Sequence, residues 1–400
     1  MDNRKKTIFQ LIGSALAILL LVGGATFILF LFGSLGMFPL YVTKIIPWLG
    51  ISGALALFFL SSGIPGLRAR TALKCGFLCV CLGCAVYVGL GAYKESLPSL
   101  DDRDLLLWQY QPFEEDNNLV QLEEEPTFRM DDFDAWCLKR DGATALYPVY
   151  AAFVQAVYPE GEYHYYDTNV SCFGTIEAYD RLIKRDADMI FAAAPSQEQL
   201  AAAEAAGLQL HLTPIGREAF VFFVNNKNPV TDLSVDEIRG IYSGEITNWK
   251  QVGGRRQSIR PFQRAENSGS QTSLQRLMDG YPLMEPEKED RIAGMGGIIE
   301  QVASYRNYKN AIGFSFRFYS TEMVQSGDIR LLSLNGVAPT RETIRDGSYP
   351  IASEFYAVTA APIGAPPPQV QDKDLGAFLD WILSPQGQAI VDQTGYVSVR

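Results

Sequence analysis

From Ala135 to Leu383 the chain keeps switching its hydrophobic period, from short apolar runs of strand length to stretches with helical spacing, and this alternation limits the folds open to it. Ala135–Lys139 reads as a first strand, followed by the polar turn Asp141-Gly142-Ala143-Thr144 and an apolar helix over Leu146–Val157. Tyr163–Thr168 reads as a second strand, and Thr175 is placed to cap a helix running through Arg185. Asp188–Ala193 is a third strand. Ser196 with Gln199, and Ser234 with Glu237, form capping-box patterns that open helices closing at Gly207 and near Tyr242. Ala219–Asn225 is a strongly apolar strand between them, and Ser258–Phe262 reads as another strand end. A helix near Ile298–Tyr305, strands Ile312–Phe316 and Ser353–Thr359, and a last helix Leu375–Leu383 complete the series. Strands separated by helices of this length predict an α/β fold with parallel sheets.

In open α/β sheets ligands lie at the carboxyl ends of strands, so the turns there carry the functional signal. Four such turns are 142–145, 171–175, 193–196 and 264–272. The most informative is Pro261–Met278, PFQRAENSGSQTSLQRLM, where the polar run Arg264–Thr272 precedes Leu274, Leu277 and Met278 at helical spacing. A turn of this kind presents unpaired N–H groups, the positive end of a helix dipole, and here the hydroxyls of Ser268, Ser270 and Thr272. Gly269 permits close approach of a ligand to the backbone, and Arg264 offers a planar fork matched to an oxyanion. The pattern suits a tetrahedral-anion site; it also suits an ordinary Ser N-cap beside an exposed Arg. Convergence of the four turns on one cleft would favour the anion.

Charge divides the chain. Residues 1–100 hold 8 Lys+Arg against 2 Asp+Glu, whereas residues 101–400 hold 26 against 43. An acidic body with no basic stripe argues against nucleic acid as a partner. It does not exclude one small anion, because local dipoles in a desolvated pocket outweigh distant, salt-screened surface charge. Cys137 and Cys172 read as free thiols, with no zinc-like spacing. With only His164 and His211 available, and no GxSxG, a Ser-His-Asp triad or histidine metal site is not expected, nor is any cofactor. Trp249 reads as a packing residue.

The first 94 residues predict a membrane anchor. After Arg4, Lys5 and Lys6 the chain runs uncharged from Thr7 to Gly33, longer than the roughly 20 residues that cross a bilayer. Further apolar runs follow at about 45–64 and 75–93, which favours retention over cleavage of a signal peptide. A lipid-modified Cys84 would leave the two upstream runs without a role. Arg68, Arg70 and Lys74 join the N-terminal cluster on the cytoplasmic side, so the chain beyond Lys94 is expected outside the cell. Residues 95–133, acidic with Pro98, Pro112 and Pro126, read as a linker, packed in part through Leu105, Leu106, Leu107 and Trp108.

Six blocks of the body, in order and spacing, resemble the phosphate-binding solute receptors of bacterial ABC transporters: DGATALYPVYAAFVQAVYP, GREAFVFFVNNKNPVTDLSVDEIRGIYSGEITNWKQVGG, FQRAENSGSQT, AIGFSF, IRDGSYPIASEFYAVT and FLDWILSPQGQAIV. The resemblance covers about Asp134–Arg400. It implies a two-lobed periplasmic-binding-protein-like fold, with lobe 1 at 134–216 plus 350–400, lobe 2 at 217–349, and hinges near Ile215–Ala219 and Tyr349–Ser353. It implies a phosphate site of Ala143, Thr144, Ala145, Thr175, Arg264, Glu266, Ser268, Gly269 and Ser270. In that set Thr144 and Thr175 supply hydroxyls, although either also suits a plain helix cap. Arg264 supplies the guanidinium and Glu266 its orienting partner, unless Glu266 is simply a solvated charge. Ala193 stands where family members often carry an Asp that accepts the phosphate proton, which weakens the case for strict phosphate selectivity. The implied activity is capture without chemistry, feeding an ABC permease from the outer face of a bacterial, Gram-positive cell membrane. The alternative is an oxyanion sensor signalling through a membrane partner.

Overall fold

The computed structural model describes residues 53, 75, 79, 82–90, 99–100, 107–131, 137–166, 168–286, 291–292, 305–306, 308–323 and 329–399. The chain divides into two compact units, Met1–Pro98 and Ser99–Arg400. In the first, the described stretch 82–90 is helical, with Leu82, Val86, Tyr87 and Leu90 exposed. The spans expected over 7–33 and 45–64 lie outside the described residues except for residue 53, and that over 75–93 is described only in part. Among the described residues no helix is long and apolar enough to cross a membrane.

The second unit is built on one mixed sheet. Its strands are β1 (Arg140–Gly142), β2 (Met189–Ala193), β3 (Leu208–Asn225), β4 (Arg260–Pro261), β5 (Ala311–Phe316), β6 (Ile329–Leu331) and β7 (Ala352–Pro362). They run in the order β1-β2-β7-β3-β5-β4, and β6 also pairs with β3. The two ends are parallel, as the alternating pattern predicts, but β7 pairs antiparallel with both β2 and β3, and β5 antiparallel with β3. The expectation of parallel sheets therefore fails in the middle. The cause is β3, an 18-residue strand that starts at Leu208 rather than Ala219. Its first part pairs with β7 from Leu208↔Pro362 to Ala219↔Ala352, with a bulge at Phe355/Tyr356. Its second part carries β5 and β6. Pro214 and Gly216 hid this continuity. A Cβ on Gly216 would lie 2.2 Å from the Phe355 ring, so the side chain is absent where the strands press together.

Two large cores flank the crossing. One gathers α1 (Tyr147–Val157), β2, α6 (Lys373–Ile382) and α7 (Pro385–Thr394). Residues Tyr147 to Val154 of α1 are all buried, the mark of a helix enclosed on every side. Leu107, Leu119 and Met130, within the acidic stretch, join this core, and Gln386 binds the Thr127 amide at 2.8 Å. The other core packs the end of β3 against α4 (Val235–Ser243), α5 (Gly269–Leu277), β5 and Trp249.

Helices α2 (Thr175–Lys184) and α3 (Gln197–Ala205) cover β2 and β3. Both capping boxes form as the sequence indicates, at Ser196 and Ser234. Three expectations do not hold. The first strand lies at Arg140–Gly142 rather than Ala135–Lys139, of which 135 and 136 are outside the described residues. Its charges are absorbed locally: the Arg140 guanidinium sits 4.8 Å from the Tyr158 ring and donates to the Leu138 carbonyl, while Asp141 pairs with Arg181. Tyr163–Thr168 is not a strand. Thr168 Oγ1 instead donates to the His164 carbonyl and accepts from the Val170 amide, local bonds that compete with a ladder. The last helix is Pro385–Thr394, after Leu375–Leu383 rather than ending there, because Ser384 caps it and Pro385 suits its first turn. The helix expected at Ile298–Tyr305 lies outside the described residues, except that Tyr305 belongs to a two-residue strand.

Candidate functional site

Three helix starts face one cavity of about 80 Å³. The first is the 3-10 turn Thr144–Leu146 that follows β1. Gly142 precedes it because a Cβ there would lie 2.7 Å from both the Phe191 carbonyl and the Tyr150 ring. The amides of Thr144 and Ala145 open the turn and have no intrahelical acceptor. Ala143 differs: its N–H donates to Phe191 O at 2.8 Å, so it lines the cavity without offering a donor.

The second start is α2. Its N-cap is Gly174, at φ 86°, so Thr175 is the first helical residue rather than the cap. This leaves the Thr175 side chain directed at the cavity, 3.4 Å from the position a Gly269 Cβ would take. The third start is α5. Ser268 is its N-cap, with Oγ accepting from the Gln271 amide and donating to the Ala265 carbonyl at 2.8 Å. The Ser268 amide also donates to Ala265 O. Ser268 thus shapes the loop, and the amides of Gly269 and Ser270 are the ones that point outward from the helix end.

Arg264 adds the cationic side chain, and Ser315, Phe316 and Tyr319 close the far wall. Of the residues expected in the site, Ala143, Thr144, Ala145, Thr175, Arg264, Ser268, Gly269 and Ser270 all line this cavity. Glu266 does not. It is exposed, and its carboxylate accepts from Gln275 Nε2 at 2.7 Å. The described lining contains no carboxylate. Aligned N–H groups and dipole ends, a guanidinium and hydroxyls make a positive, donor-rich hollow that suits a small anion.

A PBP superfamily domain model matches residues 130–386. The chain belongs to the PBP superfamily. Within this superfamily it is similar to the phosphate-binding protein PstS of Borreliella burgdorferi, 28% identical over 194 residues, which are 47% of this chain and 66% of that one. PstS of Bacillus subtilis is 30% identical over 178 residues, 44% of this chain and 53% of the relative. The chain thus spans between half and two thirds of these relatives' lengths. A substrate-binding protein from Clostridium perfringens, solved with bound phosphate, aligns over 66% of this chain and 99% of its own, at 23% identity and a TM-score of 0.49.

Several supporting residues of this PBP superfamily domain escaped sequence reasoning. Asp141 is fully buried and accepts from the amides of Gly142 (2.7 Å) and Phe173 (2.9 Å) and from Arg181 Nη1 (2.6 Å), tying the first two loops together. Gln271, also fully buried, accepts from the Arg264 amide at 2.9 Å and fixes that residue against α5. Behind the cavity lies a smaller hollow of about 20 Å³ that shares Ala143, Ala145, Thr175 and Phe316 with it and is lined by Ala193 and Glu218. Burial pushes the Glu218 carboxyl up to about 7, although it accepts from the amides of Ala219 and Phe318 and lies near Arg317. No motif marks Glu218; it is the one acid in its 18-residue strand, and that was the available signal.

Proposed function

We propose that this chain is a membrane-anchored receptor that captures phosphate, or a similar tetrahedral oxyanion, between two lobes and presents it to an ABC permease. The observation that carries the reading is the cavity itself, where three helix starts and Arg264 converge and the described lining holds no carboxylate. The names of the similar PstS proteins support phosphate as the ligand. In this reading lobe 1 comprises 134–216 plus 350–400, lobe 2 comprises 217–349, and the hinge is the β3–β7 crossing near Ile215–Ala219 and Tyr349–Ser353. The ligand set is Thr144, Ala145 and Thr175 from lobe 1, with Arg264, Gly269 and Ser270 from lobe 2; Ala143 and Ser268 shape the walls.

Binding proceeds without covalent chemistry. The anion accepts charge-assisted hydrogen bonds, each contributing roughly 1.5–3 kcal/mol, which offset the loss of its hydration. Lobe closure then alters the surface that a permease reads. The three uncharged runs near 7–33, 45–64 and 75–93 hold the receptor at the outer face of the membrane and raise its local concentration near that permease.

A thermal-shift series on the 400-residue chain tests the ligand class. Phosphate at a hundredfold excess over its Kd stabilises the folded state by about 2.7 kcal/mol and raises the unfolding temperature, whereas acetate and chloride leave it unchanged. A response to small carboxylates with none to any tetrahedral oxyanion would contradict the proposal.

A further inference from the structure

Tyr319 opens the turn Tyr319–Met323 that follows β5. The residue is 9% exposed, and its hydroxyl is buried without a hydrogen-bond partner among the described residues. Leaving a buried hydroxyl unmatched is unfavourable, so an isolated case calls for a reason. Tyr147 and Tyr158 share the trait, but both sit inside the apolar core around α1. Tyr319 is different because it lines the donor-rich cavity together with Arg264, Thr144 and Ser270. The residue forms part of that cavity's wall, so its unmatched hydroxyl lies beside whatever fills the cavity.

We propose that the Tyr319 hydroxyl is a further ligand for the bound oxyanion, donating a hydrogen bond from the segment after β5. The inference rests on the oxyanion reading of the cavity and adds a residue that neither the turn pattern nor the family resemblance assigned. A phenol suits the place chemically. Its O–H donates to an anion without the repulsion a carboxylate would bring. Its oxygen also accepts, so it tolerates an oxyanion that still carries a proton. The methyl group of Ala193 cannot do so.

Tyr319→Phe removes the hydroxyl and keeps the ring. Titration calorimetry of inorganic phosphate into the detergent-solubilised 400-residue chain compares this variant with wild type, and thermal unfolding without phosphate reports folding. The expected result is phosphate affinity at least tenfold weaker, with an unfolding temperature unchanged or raised, since a buried unmatched hydroxyl has been deleted. Unaltered affinity overturns the role of Tyr319 while leaving the oxyanion site standing. Weaker affinity accompanied by a lowered unfolding temperature assigns the hydroxyl to packing and overturns the proposal. Wild type that binds neither phosphate nor sulfate removes the site itself, and the inference with it.

Discussion

Glu218 shows how a single residue near the cleft couples stability to pH. Its carboxyl is 4% exposed, and burial raises it from an ordinary 4.5 to about 7. The folded state therefore holds this proton more tightly than the unfolded chain does. Its contribution to stability is fully present below pH 4.5 and is lost as pH rises through about 7. Urea unfolding of wild type and Glu218→Gln across pH 4.5–8 should show the variant gaining relative stability with rising pH, on the order of a few kcal/mol at the upper end. Parallel profiles would contradict this. At the same scale, the sequence told some placements and hid others. The placement of Arg264, Gly269 and Thr175 at one cavity was legible because a guanidinium, a glycine and a hydroxyl at a strand-to-helix turn have few other uses in combination. Thr175 nevertheless reads as a cap, and only the positive φ of Gly174 moves that duty one residue upstream. Glu266 looks like a partner for Arg264 two positions away, but it points to solvent and Gln275. Asp141 and Gln271 were illegible, since a buried acid and a buried amide acting through backbone amides leave no spacing to recognise.

Elements that close on themselves were readable; those that depend on distant pairing were not. The capping boxes of α3 and α4 are local hydrogen-bond circuits and form where the sequence places them. The direction of β7 against β3 depends on residues more than a hundred positions apart, and no local pattern encodes it. The start of α3 has a second use that only the fold reveals. Ser196 Oγ donates to Asn267 Oδ1 at 2.7 Å, Gln199 Nε2 to Asn267 O at 3.2 Å, and Asn267 Nδ2 to Glu198 Oε2 at 2.7 Å. Arg276 Nη2 adds a bond to the Pro195 carbonyl at 2.7 Å. These join the α3 cap to the loop before α5 as a latch beside the cavity, one that would hold a bound anion in. Asn267→Gly keeps the backbone at φ 65° and deletes the side-chain bonds. Stopped-flow measurement of phosphate release should find dissociation accelerated roughly tenfold with association little changed. An unchanged release rate would show that the latch does not hold the ligand in.

For the molecule as a whole, an acidic body is compatible with the proposed anion site because the two act over different ranges. A net surface charge is screened beyond about 10 Å in ordinary buffer, whereas the helix ends and Arg264 act at contact distance on whatever occupies the cavity they line. The body is organised to keep that arrangement fixed: β3 and β7 cross together, each core sits on one side, and the three helix starts meet where the sides touch. Titration calorimetry of phosphate into wild type and Arg264→Ala tests this claim most directly. The account predicts that the variant, with the same unfolding temperature in phosphate-free buffer, binds phosphate at least tenfold more weakly; equal affinity in the two proteins would contradict it.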